Sequence, residues 1–285
     1  MKAAKNTCSR LILLRVSLLL IIVLALSGCL TLPDAEERKQ SAMQLAADRG
    51  WEFSQWKAAD FVLAGFAPLN LQASTLRIYI EGDGLAWITS RRPSKDPTPV
   101  TPVSLELALM DEQPSVYLAR PCQYVMPAAG CSMKYWTSHR YAEEVVAATS
   151  EAISQIKKHH AVQKLELFGY SGGGVIAALV AARRDDVTRL ITVAGNMDHE
   201  YWTAYHNVSP LSGSLNAADY AGQLQMIHQI HLVGDEDVNV PLEVINAYLN
   251  RIDRTGKVSV HEIPDYDHEC CWAENWNRLL KIYVN

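Results

Sequence analysis

A serine lies among glycines at residues 169–173, which read Gly-Tyr-Ser-Gly-Gly. This is the GxSxG pattern, in which a tight turn from a strand into a helix exposes a serine hydroxyl. Such a hydroxyl is a weak nucleophile near neutral pH, so it needs a basic side chain within hydrogen-bonding distance and a third group that orients the base. The candidate chemistry at Ser171 is therefore nucleophilic attack on an acyl carbon, provided that partners exist elsewhere in the chain.

Two other interpretations of this turn stay open at this point. Glycine-rich turns between a strand and a helix also bind phosphates, and a tightly packed turn can carry an ordinary surface serine. No lysine follows the glycines, as it does in a phosphate-binding loop, and the sequence contains no GxGxxG. These absences favour the nucleophile over the phosphate site.

Partners for the serine follow it in the chain in the order acid, then histidine. Asp235 and Asp237 come directly after an apolar run at 230–233 that predicts a strand. Of the nine histidines, only His261 and His268 follow Asp237. His261 falls inside another predicted strand, whereas His268 lies in a loop before the last predicted helix. His268 is therefore the candidate base.

Taken together, these motifs resemble the α/β-hydrolase family. The acid loop of that family often reads GxxDxxVP, and this chain matches the spacing with Gly234, Asp237, Val240 and Pro241. The resemblance implies a catalytic triad of Ser171, His268 and Asp237. Asp235 remains a neighbouring alternative for the acid, and Asp198 is another because some members place the acid after the preceding strand.

The same resemblance implies two backbone donors that stabilise an oxyanion. One is the amide of Gly172, directly after the nucleophile. The other is expected in the segment "IYIEGDG", with Asp83 and Gly84 as candidates. Glu81 stands where related lipases and esterases carry a histidine, which leaves the second donor open.

Alternating apolar runs predict the elements that must position these residues. The predicted strands cover 76–80, 115–118, 164–168, 189–193, 230–233 and 258–263, after one or two early strands between Trp51 and Pro68. The predicted helices cover 103–110, 141–157, 173–182, 242–251 and 271–282. Strands separated by such helices predict a mostly parallel sheet with helices on both faces. About 35 residues separate the predicted strand at 189–193 from the predicted strand at 230–233, so we expect a small cap or none.

The first 28 residues have the features of an export signal. Four basic residues precede or enter an apolar run that is too short to span a bilayer comfortably. Leu26, Ser27, Gly28 and Cys29 resemble the lipobox of bacterial lipoproteins, which implies a lipid on Cys29 and attachment to the cell envelope, with Leu30 pointing to the outer membrane. An uncleaved membrane anchor is the alternative. We expect a signal peptide at 1–28, a tether at 29–45 and a hydrolase domain at 46–285.

Composition limits the possible partners. Removal of residues 1–28 changes the formal net charge from −5 to about −9, and no basic cluster remains, so nucleic-acid binding is not expected. The cysteines left besides Cys29 are Cys122, Cys131, Cys270 and Cys271. A disulfide between Cys122 and Cys131 fits an exported protein. The sequence contains no CxxC with matching histidines, so a zinc site is not expected.

A long segment from Arg120 to Tyr141 is rich in aromatic residues. It either frames the substrate site or anchors a loop held by the disulfide. The chain resembles members of a lipoprotein subgroup of bacterial α/β-hydrolases. The segments that carry this resemblance are "IYIEGDG", "YLARPCQY", "YWTSHRY", "GYSGGG" and "VAGNMDH".

The resemblance implies an envelope serine hydrolase that cleaves a carboxylic ester, thioester or amide. It implies a small-molecule or lipid-like acyl substrate, and no metal or organic cofactor. A catalytically silent lipoprotein that uses the fold for binding is the alternative from another class. Peptidase and acyltransferase activities would use the same triad.

Overall fold

The computed structural model describes residues 32–252 and 257–285. The predicted signal peptide at 1–28 and the predicted lipid attachment at Cys29 lie outside the described residues. Within the part that is described, no helix is both long enough and apolar enough to cross a membrane. The residues from Asp34 to Asn285 form one compact unit.

A single sheet of eight strands organises this unit. Its spatial order is β1-β2-β6-β3-β7-β8-β9-β10, and a short hairpin of β4 and β5 lies apart. Strands β3 and β6 to β10 pair in parallel, while β1 and β2 are antiparallel additions at one edge. The bounds are β1 Trp51–Ala58, β2 Phe61–Pro68, β3 Thr75–Ile80, β4 Trp87–Thr89, β5 Arg92–Pro93, β6 Ser115–Leu118, β7 Lys164–Tyr170, β8 Val187–Val193, β9 His228–Gly234 and β10 Val258–Ile263.

Helices cover both faces of the sheet. They are α1 Ala35–Ala47, α2 Val103–Met110, α3 Glu143–His159, α4 Gly172–Ala181, α5 His199–Tyr205, α6 Ala221–Leu224, α7 Leu242–Leu249 and α8 Trp276–Leu279. One apolar core lies between the sheet and α3, α4 and α7, and the other lies between the sheet and α1, α2 and α8. The predicted fold class, a mostly parallel sheet covered on both faces, is confirmed.

The sequence pattern explains why these segments take these positions. The interior strand β6 is buried along its whole length, as expected for a strand covered on both sides. Helix α3 buries one face that repeats at helical spacing, including Val145, Thr149, Ala152 and Ile156. Helix α4 is apolar and buried all round, because it packs inside the layer directly behind the nucleophile turn.

The N-terminal helix α1 belongs to the compact unit. Asp34 caps it in a capping box with Glu37, and its residues Arg38, Ala42 and Ala46 are buried. The predicted division between tether and domain at 45/46 therefore falls inside a packed helix, because these side chains contribute to the core beside α2.

The last predicted helix, 271–282, differs in the structure. Residues 271–275 form turns, α8 begins at Trp276, and residues Leu280–Val284 continue as a π-helix. The side chain of Asp267 accepts hydrogen bonds from the amides of Glu269 (2.8 Å) and Cys270 (2.6 Å), which stabilises a turn directly before the segment where the sequence pattern indicated a helix.

The described residues contain two disulfides. Cys122 pairs with Cys131, with 5.6 Å between their α-carbons, and closes the loop that the sequence analysis expected. The adjacent cysteines Cys270 and Cys271 pair with each other, which the sequence left open.

Candidate active site

Ser171 occupies a sharp turn between β7 and α4. Its backbone has φ 50° and ψ −122°, an uncommon conformation for a residue with a side chain. Neighbouring glycines permit the close packing that this turn requires: a β-carbon on Gly173 would overlap the carbonyl oxygens of Ile80 and Glu81. The turn holds the Ser171 side chain at the carboxyl edge of the sheet, where ligands of such sheets bind.

A continuous chain of hydrogen bonds joins three distant residues at this edge. Nε2 of His268 is 3.0 Å from Oγ of Ser171, and Nδ1 of His268 is 2.8 Å from Oδ2 of Asp237. This geometry requires a tautomer in which Nδ1 donates to Asp237 and Nε2 accepts from Ser171. The structure therefore brings together the three residues that the sequence nominated, in the arrangement needed to remove a proton from the serine.

The carboxylate of Asp237 is buried and fixed by its own loop. Its Oδ1 accepts hydrogen bonds from the amides of Asn239 (2.8 Å) and Val240 (2.7 Å), which leaves Oδ2 directed at His268. The side chain of Asp237 has no exposed surface. A carboxylate held in this way fixes both the position and the tautomer of the imidazole.

The loop that carries His268 is held through its backbone. The hydroxyl of Tyr170, next to the nucleophile, donates to the carbonyl oxygen of His268 at 3.0 Å. The indole Nε1 of Trp272 lies 3.1 Å from the carbonyl oxygen of Asp267 and 3.2 Å from that of His268. Neither role has a signal in the sequence, since only the folded chain shows that Tyr170 and Trp272 contact the carbonyl group of His268.

Backbone amides in the turn at Ser171 and in the loop after β3 lack hydrogen-bond acceptors in the part of the chain that the structure describes. Gly172 is the first residue of α4, so its N–H has no acceptor within the helix. Among the described residues, neither the amide of Asp83 nor that of Gly84 donates a hydrogen bond, although the amides on either side, Gly82 and Leu85, do. These are the positions nominated as oxyanion donors.

Glu81 anchors the loop that carries these amides. Its Oε1 accepts from the amides of Gly82 (2.9 Å) and Ser104 (3.4 Å), and the residue is almost completely buried. Burial raises the pKa of Glu81 to about 7. The residue that departs from the family pattern thus points inward and supports the loop, and it does not face the nucleophile.

The carboxylate of Asp83 lies in a buried cluster of charges. Its two oxygens accept from Arg120 (3.2 Å), Arg140 (2.5 Å) and the hydroxyl of Tyr141 (3.2 Å). From the sequence, this long loop is expected either to frame the substrate site or to be a loop held by the disulfide, and neither expectation gives a role to Arg120 or Arg140. Arg120 and Arg140 lie far from Asp83 in the sequence, so no local pattern indicates that they form ion pairs with it.

The competing residues have other partners. Asp198 is buried at the start of α5, where it accepts from the amide of Tyr201 (3.1 Å) and from Asn216 (2.9 Å). The side chain of Asp235 accepts from the amide of Asp265 at 2.8 Å. The ring of His261 packs 4.5 Å from the ring of Tyr283. None of these contacts involves Ser171 or His268.

Metal binding has no candidate site in the ranges 32–252 and 257–285. No group of three or more His, Cys, Asp or Glu side chains there could hold an ion. The site is built from a hydroxyl, an imidazole, a carboxylate and backbone amides, and this set is sufficient for acyl transfer.

No protein-family model matches the sequence, and no curated protein matches it. Solved structures are similar to the chain in fold. A serine hydrolase homologue from Coxiella burnetii is 19% identical, with a TM-score of 0.54 over 81% of this chain and 93% of that one. An esterase from Pyrococcus furiosus is 14% identical, with a TM-score of 0.58 over 84% and 95%. The chain has the α/β-hydrolase fold.

A third solved structure is also similar in fold. A lidless α/β serine hydrolase from Xanthomonas campestris is 12% identical, with a TM-score of 0.53 over 82% of this chain and 96% of that chain. In the present α/β-hydrolase fold, the segment between β8 and β9 contains only α5, a 3-10 turn at Ala217–Tyr220 and α6. This segment is too small to form a separate cap domain.

Proposed function

We propose that this protein is a serine hydrolase that cleaves a carboxylic ester, thioester or amide through an acyl-enzyme. The single observation that carries the proposal is the hydrogen-bonded chain from Ser171 through His268 to Asp237. The α/β-hydrolase fold supports it, because nucleophile, acid and base follow the strands of the sheet at its carboxyl edge. The similar structures named above as hydrolases and esterases are consistent with it.

The proposed reaction has two steps. Oγ of Ser171 attacks the acyl carbon while its proton passes to Nε2 of His268, and Asp237 stabilises the imidazolium that forms. The negative charge on the acyl oxygen is stabilised by the amide of Gly172 and by an amide of Asp83 or Gly84. His268 then protonates the leaving group, and a water molecule, activated by the same histidine, releases the acid and regenerates the serine.

The alternative from another class is a lipoprotein that binds through this fold without catalysis. The complete triad and the free amides favour the enzyme, because a binding protein has no need to retain them. Within the enzymes, a peptidase or an acyltransferase would use the same residues. We further propose that the chain is a lipoprotein of the bacterial cell envelope, on the basis of the lipobox-like residues that end at Cys29.

The proposal is tested by hydrolysis of p-nitrophenyl esters of graded chain length and of matching anilides. The wild-type protein is expected to cleave at least one series. Ser171→Ala is expected to abolish cleavage. Asp237→Asn is expected to reduce kcat on the order of 10⁴-fold, because the imidazole takes the wrong tautomer.

Two matched variants control for the loss of a carboxylate elsewhere. Asp198→Asn and Asp235→Asn remove acids that follow β8 and β9 but have partners outside the triad, so they are expected to retain most of the activity. Equal cleavage by the wild type and Ser171→Ala would overturn the proposed function. A larger loss in Asp198→Asn than in Asp237→Asn would show that the acid is misassigned.

A further inference from the structure

The side chain of Asp83 lies beside the proposed oxyanion site. It follows β3 and contacts the first residue of α4: a β-carbon added at Gly172 would overlap the carboxylate of Asp83 and the hydroxyl of Tyr141. A carboxylate at this place is unexpected, because its charge would repel the negative charge that develops on the substrate oxygen.

Two arginines compensate this charge. Nη1 of Arg120 is 3.2 Å from Oδ1 of Asp83, and Nη1 of Arg140 is 2.5 Å from Oδ2. Only 5% of the Arg120 side chain and 9% of the Arg140 side chain are exposed. Burial favours the neutral acid, but Arg140 and Arg120 outweigh it and hold the pKa of Asp83 below its usual value. The cluster therefore carries a net positive charge and keeps Asp83 ionised.

The arginines are themselves fixed in position. Arg120 also donates to the carbonyl oxygen of Arg140, and Nε of Arg140 donates to the carbonyl oxygen of Thr137 at 2.9 Å. The guanidinium of Arg120 lies over the ring of Tyr141, 5.3 Å from its centre. Arg120 and Arg140, which lie at the two ends of the long loop, therefore both bind the carboxylate of Asp83.

The backbone on the other side of this carboxylate is held separately. The amide of Gly82 donates to Glu81, and Nε2 of Gln123 donates to the carbonyl oxygen of Gly82 at 3.0 Å. The amide of Leu85 donates to the carbonyl oxygen of Pro97 at 3.1 Å. In the described part of the chain, the amides of Asp83 and Gly84 alone within this loop are left without an acceptor. Between the contacts of Gly82 and Leu85, the side chain of Asp83 holds the loop to the rest of the protein.

We propose that Asp83 is a positioning residue, whose side chain, clamped by Arg120, Arg140 and Tyr141, holds the loop so that its free amides face the oxyanion. This inference rests on the proposed function and deepens it. The carboxylate of Asp83 does not contact the substrate; it positions the loop, and the amides of the loop contact the substrate oxygen. The clamp explains why a charged side chain is tolerated next to the nucleophile.

The test compares Asp83→Asn with the wild type in ester hydrolysis and in inhibition by phenylboronic acid. The inhibitor forms a bond from Oγ of Ser171 to boron, the hydroxyl proton passes to His268, and the tetrahedral boron carries a negative charge like the oxyanion. Asp83→Asn keeps the shape but loses the charge that both arginines require. We expect kcat to fall about 10- to 100-fold, which reaches only the lower end of the roughly 10²- to 10³-fold loss seen when one oxyanion donor is removed. The affinity for phenylboronic acid is expected to fall by a similar factor, with KM within about twofold.

Asp186→Asn is the matched control. Asp186 is also a carboxylate between two cations, Arg184 at 2.7 Å and Lys157 at 2.6 Å, but it precedes β8 at the opposite edge of the sheet. Its variant loses comparable ion pairs and is expected to keep kcat and boronic acid affinity. Unchanged kcat in Asp83→Asn, or a lower kcat with unchanged affinity for the boronic acid, would overturn the inference.

A milder variant covers the case in which Asp83→Asn does not fold. Tyr141→Phe removes only the hydroxyl that donates to Asp83, and it is expected to lower kcat and boronic acid affinity together by about 3- to 10-fold. No change in either would overturn the clamp. If Ser171→Ala hydrolysed the ester as fast as the wild type, the proposed function itself would fail, so the two failures are distinguishable.

Discussion

Two residues of the site are in locally unfavourable states. Ser171 has an unfavourable backbone conformation, and Glu81 is a carboxyl group in an unfavourable buried position. The positive φ of Ser171 is maintained by hydrogen bonds on both sides, since its amide donates to Val193 at 2.9 Å and its carbonyl oxygen accepts from Gly174 at 3.0 Å. Residues held in sparsely populated conformations are concentrated at functional sites. Glu81 is a buried carboxyl group, and its burial has a consequence for stability that can be measured.

Glu81 is expected to make the stability of the protein depend on pH. Because burial raises its pKa from 4.5 to about 7, the folded state binds a proton more readily than the unfolded state in that interval. The contribution of this group is therefore greatest below pH 4.5 and is lost as the pH rises through 7. In Glu81→Gln this loss disappears, so the variant gains stability relative to the wild type with rising pH, by at most about 3 kcal/mol.

Urea unfolding of both proteins between pH 4.5 and pH 8 measures this difference. Other titrating groups are common to the two proteins and cancel in the comparison. A difference in unfolding free energy that stays constant over this range would contradict the burial and pKa assigned to Glu81.

At the scale of elements, the site depends on how closely β7 and α4 approach β3. Gly169 and Gly173 permit this approach, because a β-carbon on Gly169 would overlap the backbone of Gly173, and one on Gly173 would overlap the end of β3. The strands themselves are fixed by burial on both faces, so they cannot move apart without opening the core.

Gly173→Ala is therefore expected to destabilise the protein by about 1–3 kcal/mol, as overpacking of a tight site does. Gly222→Ala is the control: Gly222 lies in α6, and an added β-carbon there meets no atom within 4 Å. This control is expected to be neutral or to gain up to about 1 kcal/mol from the better helix former. Urea unfolding measures both. Equal stability of the two variants would contradict the packing described for the turn.

Much of this element structure could be predicted from the sequence. The predicted strand at 258–263 and the predicted helix at 103–110 agree with β10 and α2, because each is a short run rich in apolar residues that is bounded by polar or turn-forming residues. The turns at residues 271–275 could not be predicted, since the spacing of apolar residues there also fits a helix and contains no signal for the disulfide between Cys270 and Cys271. Periodicity contains no information about such contacts.

The residues of the candidate site also include some that could be predicted from the sequence and some that could not. Ser171 and Asp237 could be nominated because each follows a strand in a recognisable local motif, and His268 because it lies in the loop between the last predicted strand and the last predicted helix. The side chains that hold them or their loops could not, because their roles depend on contacts between residues far apart in the chain; these are Arg120, Gln123, Arg140, Tyr170 and Trp272. Long-range ion pairs and hydrogen bonds to backbone carbonyl groups leave no spacing signal in the sequence.

At the scale of the whole molecule, the proposed lipid on Cys29 would attach the hydrolase unit to a membrane. When the full chain is expressed in a Gram-negative host, labelled palmitate is expected to enter the wild type but not Cys29→Ala. Cys8→Ala is the matched control, because Cys8 lies in the segment expected to be removed, and it should leave incorporation unchanged. Incorporation into Cys29→Ala would contradict the proposed attachment.

The reaction of the folded protein with a fluorophosphonate probe tests the central claim most directly, because such probes phosphonylate only an activated serine. Peptide mass spectrometry of the labelled wild type is expected to find the adduct on Ser171. Labelling should disappear in Ser171→Ala, with the Tm nearly unchanged because the replaced hydroxyl is not part of the core. Persistent labelling of a folded Ser171→Ala protein, or an adduct located on a different residue of the wild type, would contradict the account.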